Sequence, residues 1–241
     1  MTKNYENNPI IPNTDWKVHD QIRAQPEIVV PGSLCELPSV TPPSDATVLF
    51  DGSNTEEWVH VNDDRPCEWE IIDDNIMRVV PKTKNIKTKK SFGDCQLHVE
   101  WSAPTEIKGE GQGRGNSGIF MMGDYEIQVL DDYSNPTYAD GLSCALYGQK
   151  PPLVNSSCKP GQWHIYDIIW KAPIFTDDEL TSPAYVTVIH NGVVVQNNYK
   201  LIGRTTHMDL GTYAPHPAKG PIWLQDHGDL VSFRNIWIRD L

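Results

Sequence analysis

The chain has 241 residues and a formal net charge of −12. This acidic balance argues against a nucleic-acid partner, because such a partner needs a basic surface, and the one basic cluster, residues 82–90, is expected to flank a solvated hairpin. No run of about 20 apolar residues is present, so no membrane-spanning helix is predicted, and residues 1–8 contain no signal-peptide apolar core.

The first 45 residues are predicted to form an extended N-terminal arm. Prolines recur along it, so only a short helix over residues 15–24 fits the pattern. Trp16 and the apolar residues 28–30 predict that the arm packs against the domain or against a neighbouring subunit, which would make it a route to a homo-oligomer. A flexible leader is the alternative.

From residue 46 to the C-terminus, short apolar or alternating runs are separated by Gly, Pro, Asn and Asp. This pattern predicts a single all-β domain, an antiparallel β-sandwich over residues 46–241. Strands are expected at residues 48–50, 68–72, 75–80, 95–101, 161–172, 221–226 and 231–239, with a hairpin over 185–198 that turns at Asn191 and Gly192. Residues 105–114 are expected to be a rim loop, and residues 177–183 an inserted loop.

A central hairpin is predicted over residues 115–133. Because side chains alternate along a strand, Glu126 and Gln128 are expected to share one face, while Ile127 and Val129 face the other way. The same alternation puts Trp223, Gln225 and His227 on one face of a later strand. In an earlier strand it gives His98 and Glu100 a common polar face. Polar and aromatic groups interleaved on the outer face of a sheet predict a carbohydrate ligand.

Several motifs in these segments together resemble those of one known family, the 3-keto-disaccharide hydrolases. They are Leu-Phe-Asp-Gly at 49–52 with Trp58, Gly-Asn-Ser-Gly-Ile-Phe at 115–120, Tyr-Glu-Ile-Gln-Val-Leu-Asp at 125–131, Gly-Gln-Trp at 161–163, His-Asn-Gly-Val at 190–193, Leu-Gln-Asp-His-Gly at 224–228 and Phe-Arg-Asn-Ile-Trp at 233–237. The resemblance covers most of the chain but not residues 1–45. It implies a concanavalin A-like jelly roll and a periplasmic or extracellular location.

The resemblance also implies cleavage of glycosides that carry a ketone at sugar carbon 3. That ketone acidifies the proton at carbon 2, so the aglycone leaves carbon 1 by elimination and water then adds back. The reaction needs a general base, an acid for the leaving group and a donor for the enolate oxygen.

Within that reaction, His227 is assigned as base or acid, because histidine titrates near neutral pH and Gly228 leaves room for a ligand. Glu126 is the partner carboxylate. Asp131 is a second candidate carboxylate only if a β-bulge returns it to the face of Glu126.

The candidate substrate contacts are polar residues of the same motifs. Asn116, Gln128 and Arg234 are assigned to sugar hydroxyls or the oxyanion, and Glu100 and Gln225 belong to the polar strand faces.

Two other functions remain open. A retaining glycosidase would need two carboxylates about 5 Å apart. A carbohydrate-binding module without turnover would use the same fold, because fold alone does not establish catalysis.

The loop over residues 204–219 contains His207, Asp209 and His216. Their spacing fits no compact ligand motif, so a divalent metal is left open rather than predicted.

The sequence has five cysteines without Cys-x-x-Cys spacing: Cys35, Cys67, Cys95, Cys144 and Cys158. One or two disulfides are therefore left open, and no zinc site is predicted.

Overall fold

A computed structural model describes residues 5–32, 39–73 and 75–241. The strands are β1 Glu27–Ile28, β2 Thr47–Phe50, β3 Trp58–His60, β4 Glu70–Ile72, β5 Ile76–Arg78, β6 Ile86–Thr88, β7 Cys95–Ser102, β8 Ser117–Met121, β9 Tyr125–Val129, β10 Val154–Asn155, β11 His164–Lys171, β12 Ile174–Thr176, β13 Glu179–Ser182, β14 Tyr185–His190, β15 Val193–Lys200, β16 Trp223–Leu224 and β17 Ser232–Asp240. Helix in the described residues is limited to two short 3-10 turns, Gly111–Gly113 and Ala139–Gly141. The predicted all-β class is therefore confirmed.

Two antiparallel sheets form a jelly-roll β-sandwich. In the described residues the larger sheet has eight strands in the order β15-β14-β11-β7-β17-β5-β4, with β2 also paired to β17. The smaller sheet has five strands in the order β3-β6-β16-β8-β9. Side chains from the inner faces of both sheets, including Leu97 and Val99 of β7 and Ile127 and Val129 of β9, belong to one buried apolar core. The outer faces are left for polar groups and ligands.

Two predicted hairpins form because their turn residues accept positive φ. Met122 and Gly123 have φ of 54° and 78°, and they join β8 to β9. Asn191 and Gly192 have φ of 52° and 79°, and they join β14 to β15. Two successive residues with positive φ suit the right-handed twist of the flanking strands.

Three sequence predictions need correction or fall outside the described residues. The helix expected over residues 15–24 is absent, and turns follow a bridge between Ile10 and Lys17 instead. The inserted loop at 177–183 is part of a hairpin formed by β12 and β13. Asp74, between the predicted strands 68–72 and 75–80, and residues 33–38 of the predicted arm, which include Cys35, lie outside the described part of the chain.

The arm lies on its own domain, and of the residues that the sequence suggested, Trp16 and Val29 are half-buried. Ile28 and Val30 are 78% and 83% exposed, because β1 pairs with β10 through its backbone and turns these side chains outward. The buried residues of the described part of the arm are Asn8, Ile11, Val18, His19 and Arg23.

Hydrogen bonds fix the arm to the turn around residues 137–140. The backbone N–H of His19 donates to Asp140 Oδ2 at 2.9 Å, and Gln25 Nε2 donates to the carbonyl oxygen of Thr137 at 2.9 Å.

Cys158 is disulfide-bonded, whereas Cys67, Cys95 and Cys144 are free thiols. Burial raises the pKa of the Cys95 thiol to about 12 and that of Cys144 well above its usual value, so both thiols are held protonated.

No helix among the described residues has the length and apolar character needed to cross a membrane.

Two buried histidines predict that acid destabilises the protein. His164 Nδ1 lies 2.9 Å from His190 Nε2, and His190 Nδ1 lies 2.9 Å from Ser156 Oγ. Burial lowers the pKa of His164 from 6.5 to about 3 and that of His190 well below 6.5. The unfolded chain therefore binds more protons than the folded chain between about pH 6.5 and pH 3, and stability falls as the pH drops through that window.

We expect calorimetric melting temperatures to decrease from pH 7 to pH 4. A His164→Gln variant should show a shallower decrease than the wild type, because glutamine can keep a hydrogen bond to His190 without gaining a proton. A variant with the same pH dependence as the wild type would contradict this assignment.

Candidate functional site

A cavity of about 670 Å³ opens on the outer face of the five-stranded sheet, over β8, β9 and β16. Four polar residues, which we call the floor, are Asn116, Glu126, Gln128 and Gln225. Three tyrosines, which we call the aromatic wall, are Tyr5, Tyr138 and Tyr147. His207 and His227 also line the cavity. Five residues singled out from sequence, the four of the floor and His227, thus meet at one cavity.

Glu126 is the one ionisable group of the floor. Its side chain leaves β9 on the face opposite the core residue Ile127, and it is only 6% exposed. Burial raises the pKa of the carboxyl group from 4.5 to about 8. The neighbouring strand makes room for it through Gly118, where a Cβ atom would lie 2.5 Å from Glu126 Oε1. A carboxyl group with a pKa near neutral pH is suited to general acid or base chemistry.

The other floor residues hold amide groups around Glu126. Gln128 Nε2 donates to Gln112 Oε1 at 3.0 Å in one orientation of the amide; in the swapped orientation the nitrogen donates instead to Glu126 Oε1 and to the carbonyl oxygen of Ser117, each at 3.1 Å. Asn116 Nδ2 donates to the carbonyl oxygen of Gln112 at 2.7 Å. These contacts fix the amide groups in place, which suits the recognition of a ligand rich in hydroxyl groups.

Gln225 offers an unused acceptor to the same cavity. Its backbone N–H donates to the carbonyl oxygen of Gly118 at 3.0 Å, and its carbonyl oxygen accepts from Ser117 Oγ at 2.7 Å. Its side-chain Oε1 is buried and has no hydrogen-bond partner among the described residues. Because an unpaired buried acceptor is costly, Oε1 is ready to accept a ligand hydroxyl group.

His227 lies in the turn that follows β16, and its ring is exposed at the cavity. Two aspartates hold this turn. Asp229 Oδ2 accepts from the backbone N–H of Asn116 at 2.8 Å, and Asp226 Oδ1 accepts from the N–H of Gly228 at 2.9 Å. Gly228 has φ of 99°, which favours glycine. The turn therefore keeps the imidazole beside the floor.

The aromatic wall was not identified from the sequence. Tyr138 Oη lies 2.7 Å from Tyr147 Oη, which lies 3.2 Å from His207 Nδ1. The ring of Tyr5 packs edge-on against that of Tyr138, with the centroids 5.6 Å apart. Tyr138 and Tyr147 sit in a long turn-rich segment without periodicity, and Tyr5 belongs to the arm, so no local pattern indicated their position.

Asp131 does not join Glu126. No bulge interrupts the register of β8 and β9, so Asp131 follows the strand on the other side. Its carboxylate accepts two hydrogen bonds from Arg114, at 2.7 and 3.0 Å, and both side chains are buried. The assignment of Asp131 as a second carboxylate of the site is therefore wrong, and the residue instead forms a buried ion pair.

Glu100 and Arg234 do not line the cavity either, because β7 and β17 belong to the eight-stranded sheet. Arg234 Nε donates to Glu100 Oε2 at 2.6 Å, and Asn235 Nδ2 donates to Glu100 Oε1 at 2.7 Å. Burial alone would raise the pKa of Glu100, but hydrogen bonds from His98, Asn235 and Arg234 outweigh it and lower the pKa to about 2. Their assignment as ligands of the same site as Glu126 is corrected to a structural ion cluster.

His98 belongs to this cluster and not to the cavity. His98 Nδ1 lies 2.7 Å from Asp167 Oδ1, and the ring stacks on Trp237 with the centroids 4.8 Å apart. Burial alone would lower the pKa of His98, but hydrogen bonds to Asp167 and Glu100 raise it to about 9. The cluster also anchors the end of the arm, because Ser39 Oγ donates to Glu100 Oε2 at 3.0 Å.

The loop histidines do not form a metal-binding group. Among the described residues no three His, Cys, Asp or Glu side chains lie close enough to hold a metal ion. His207 contacts Tyr147, whereas His216 Nε2 lies 2.8 Å from Tyr125 Oη. The set His207, Asp209 and His216 therefore does not fit a metal centre.

Residues 45–239 match the family model described as the 3-keto-alpha-glucoside-1,2-lyase-like domain. No curated protein matches the chain.

Solved structures of three candidate glycosyl hydrolases from Parabacteroides distasonis share the fold. One is 43% identical, with a TM-score of 0.79 and coverage of 87% of this chain and 96% of the other. A second is 25% identical, with a TM-score of 0.56 and coverage of 81% and 99%. The third is 18% identical, with a TM-score of 0.61 and coverage of 84% and 98%, and it supports the fold alone.

Proposed function

Because the chain belongs to the family of 3-keto-alpha-glucoside-1,2-lyase-like domains, we propose that it cleaves 3-keto-glycosides by elimination followed by hydration. The observation that carries the proposal is the meeting of a buried carboxyl group, Glu126, with an exposed imidazole, His227, at one polar cavity. Elimination needs a base and an acid at neighbouring carbons, and this pair supplies both kinds of group.

In the proposed reaction, neutral His227 removes the proton from sugar carbon 2, and the electron pair forms the enolate of the 3-ketone. The enolate then expels the aglycone from carbon 1, and Glu126 gives its proton to the departing oxygen. A double bond between carbons 1 and 2 remains. Water adds its oxygen to carbon 1 and returns a proton to Glu126, while the imidazolium returns its proton to carbon 2. The products are the free aglycone and the 3-keto sugar.

The state of Glu126 supports its role as the acid. With a pKa of about 8, the carboxyl group is mostly protonated at neutral pH, as a general acid must be. The amide groups of Asn116 and Gln128 are the candidate partners of the enolate oxygen, and Gln225 Oε1 is the candidate acceptor for a sugar hydroxyl group.

The cavity offers less support to a retaining glycosidase. Glu126 is the one carboxylate among the described residues that line it, because Asp131 is turned away to Arg114. A retaining mechanism requires a second carboxylate about 5 Å away. Elimination from a 3-keto sugar needs no such nucleophile.

The proposed location is the periplasm or the extracellular space. The disulfide bond of Cys158 supports it, because structural disulfides form and persist mainly in oxidising compartments.

Paired substrates test the proposed function. We expect the purified protein to release the aglycone from a 3-keto-glucoside, and not from the matching ordinary glucoside, with and without a chelator. Hydrolysis of the ordinary glucoside would instead indicate a glycosidase. Binding of the 3-keto-glucoside without any release would indicate a carbohydrate-binding module.

We expect the arm to contribute to substrate binding through Tyr5. Its ring forms part of the aromatic wall although the matched family domain begins at residue 45. We expect Tyr5→Ala to raise KM by about two- to tenfold with little change in kcat, since one aromatic contact contributes about 0.5–1.5 kcal/mol. Ile22→Ala is the control, because Ile22 lies in the same arm and is 84% exposed. Equal KM values for both variants would contradict the role of Tyr5.

A further inference from the structure

A second cavity, of about 800 Å³, lies between the arm and the eight-stranded sheet. The arm contributes residues 12–14 and Arg23, and the domain contributes Lys150, Tyr199, Lys200 and Tyr213. Three of these side chains are cationic, and no Asp or Glu is among the described residues that line the cavity. The chain has a net charge of −12, so a cavity whose charged lining residues are all cationic differs in sign from the protein as a whole.

Arg23 is the unusual member of this lining. The residue is only 9% exposed, and its Nη1 atom is buried with no hydrogen-bond partner among the described residues. A buried guanidinium nitrogen without a hydrogen-bond partner is unfavourable, because it loses water and gains no hydrogen bond in exchange. Burial accordingly lowers the pKa of Arg23 below its usual value.

Two acids act on the charge of Arg23, and no ion pair joins either of them to it among the described contacts, although Asp140 Oδ1 is itself buried without a hydrogen-bond partner. Asp140 Oδ2 accepts from the backbone N–H of His19, and its carboxylate lies 3.5 Å from the imidazole of that residue. Asp20 accepts from the backbone N–H groups of Lys17 and Ile22. Both carboxylates act on Arg23 through space, but their hydrogen bonds serve the local structure of the arm. These acids offset part of the charge of Arg23, but the hydrogen-bonding capacity of its Nη1 atom is left for another partner.

The rest of the lining suits an organic anion better than an inorganic one. Lys150 Nζ lies 5.9 Å from the centroid of the Tyr199 ring. Tyr213 is fixed, since its Oη donates to the carbonyl oxygen of Leu201 at 3.2 Å and accepts from the N–H of Ala184 at 2.8 Å. Aromatic rings held beside cations provide a flat apolar surface for a sugar ring and charges for an acidic group.

We propose that this cavity binds an acidic sugar, with its carboxylate held by Arg23 and the two lysines. A guanidinium group matches a carboxylate through two parallel hydrogen bonds, and the ammonium groups add charge without a fixed geometry. The site is separate from the cavity that contains Glu126, and it does not rest on the reaction proposed for that cavity. Because the arm supplies Arg23, an acidic sugar bound here also holds the arm to the domain.

Calorimetric titration of the full chain tests the proposal with three probes: glucuronate, glucose and inorganic phosphate. We expect glucuronate to bind at millimolar concentrations or below, more tightly than phosphate, and glucose not to bind. The affinity for glucuronate should decrease as salt is added, because the contact is electrostatic. Equal affinities for phosphate and glucuronate would overturn the acidic sugar, and no binding of any probe would overturn the site.

Variants locate the binding. Replacing both lysines, Lys150→Gln with Lys200→Gln, should weaken glucuronate binding at least tenfold and leave the melting temperature close to that of the wild type. Lys108→Gln is the control, because Lys108 is an exposed lysine of the rim loop, outside this cavity. Arg23→Met should abolish binding and should not destabilise the protein, since it removes an unpaired buried charge. Unchanged affinity in the double lysine variant would overturn the proposal even if Arg23→Met fails to fold.

Discussion

Glu126→Gln is expected to lower the turnover of a 3-keto-glucoside by about 10²-fold or more, the usual contribution of a general acid or base. The amide keeps the shape of the buried side chain but cannot give a proton to the departing oxygen. In the wild type, kcat/KM should decrease as the pH rises above about 8, because Glu126 then loses its proton. The measurement is a pH profile of single-substrate kinetics for both proteins.

The same substitution is expected to stabilise the protein at alkaline pH. Folded Glu126 keeps its proton up to about pH 8, whereas the unfolded chain releases it near pH 4.5. The folded state therefore binds more protons in this window, and the free energy of unfolding decreases as the pH rises through it. Glutamine removes that penalty, so the variant should melt at a higher temperature than the wild type at pH 9, with the difference disappearing below pH 4.5.

Glu106→Gln is the matched control, because the carboxylate of Glu106 lies on an exposed loop. It should change neither the rate nor the pH dependence of melting. If Glu126→Gln keeps the wild-type rate, Glu126 is not the acid. If its melting curve depends on pH as the wild-type curve does, Glu126 is not the buried carboxyl group with the raised pKa.

His227→Ala is the second large effect. We expect a decrease in kcat of about 10²-fold with a smaller change in KM, since the imidazole acts on the proton at carbon 2 rather than on binding. Leu230→Ala serves as the control, because Leu230 lies in the same turn and is 41% exposed. Imidazole added to the solution should restore part of the rate of His227→Ala, because the exposed position leaves an open space. Wild-type turnover in His227→Ala would contradict its role as the base.

His98→Ala distinguishes a site histidine from a structural one. His98 lies in the ion cluster of the eight-stranded sheet, away from the floor. Its loss should lower the melting temperature and leave kcat unchanged, which is the opposite of the result expected for His227→Ala.

Local alternation was sufficient to predict part of the site. Because neighbouring side chains of a strand face opposite ways, the pairing of Glu126 with Gln128 on one face followed from the sequence. The same reasoning also grouped His98 with Glu100 correctly. It could not decide which polar faces meet, because membership of a sheet depends on contacts between distant segments. The polar faces of β7 and β9 in fact belong to different sheets.

The remaining differences concern segments whose position is set by their partners. Asp131 follows the end of β9, and the position of its carboxylate depends on Arg114, seventeen residues earlier. In the arm, the amino-acid composition does not indicate whether Trp16 or His19 is the more buried residue. His19 is fully buried, and its backbone N–H donates a hydrogen bond to Asp140. Composition shows that such a segment carries apolar groups, but it does not indicate the surface that receives them.

The docking of the arm also has a consequence for the order in which the chain folds. The contacts of the arm with Asp140 and Thr137 join residues that are 121 and 112 positions apart in the chain. Loop closure over such distances is slow, and the surface that receives the arm exists only after β9 and the following turns have formed. Tyr5 therefore reaches the cavity after the sandwich has assembled. Refolding should show two phases, with core fluorescence recovering before full substrate affinity, so the chain should pass through a folded state that binds its substrate more weakly.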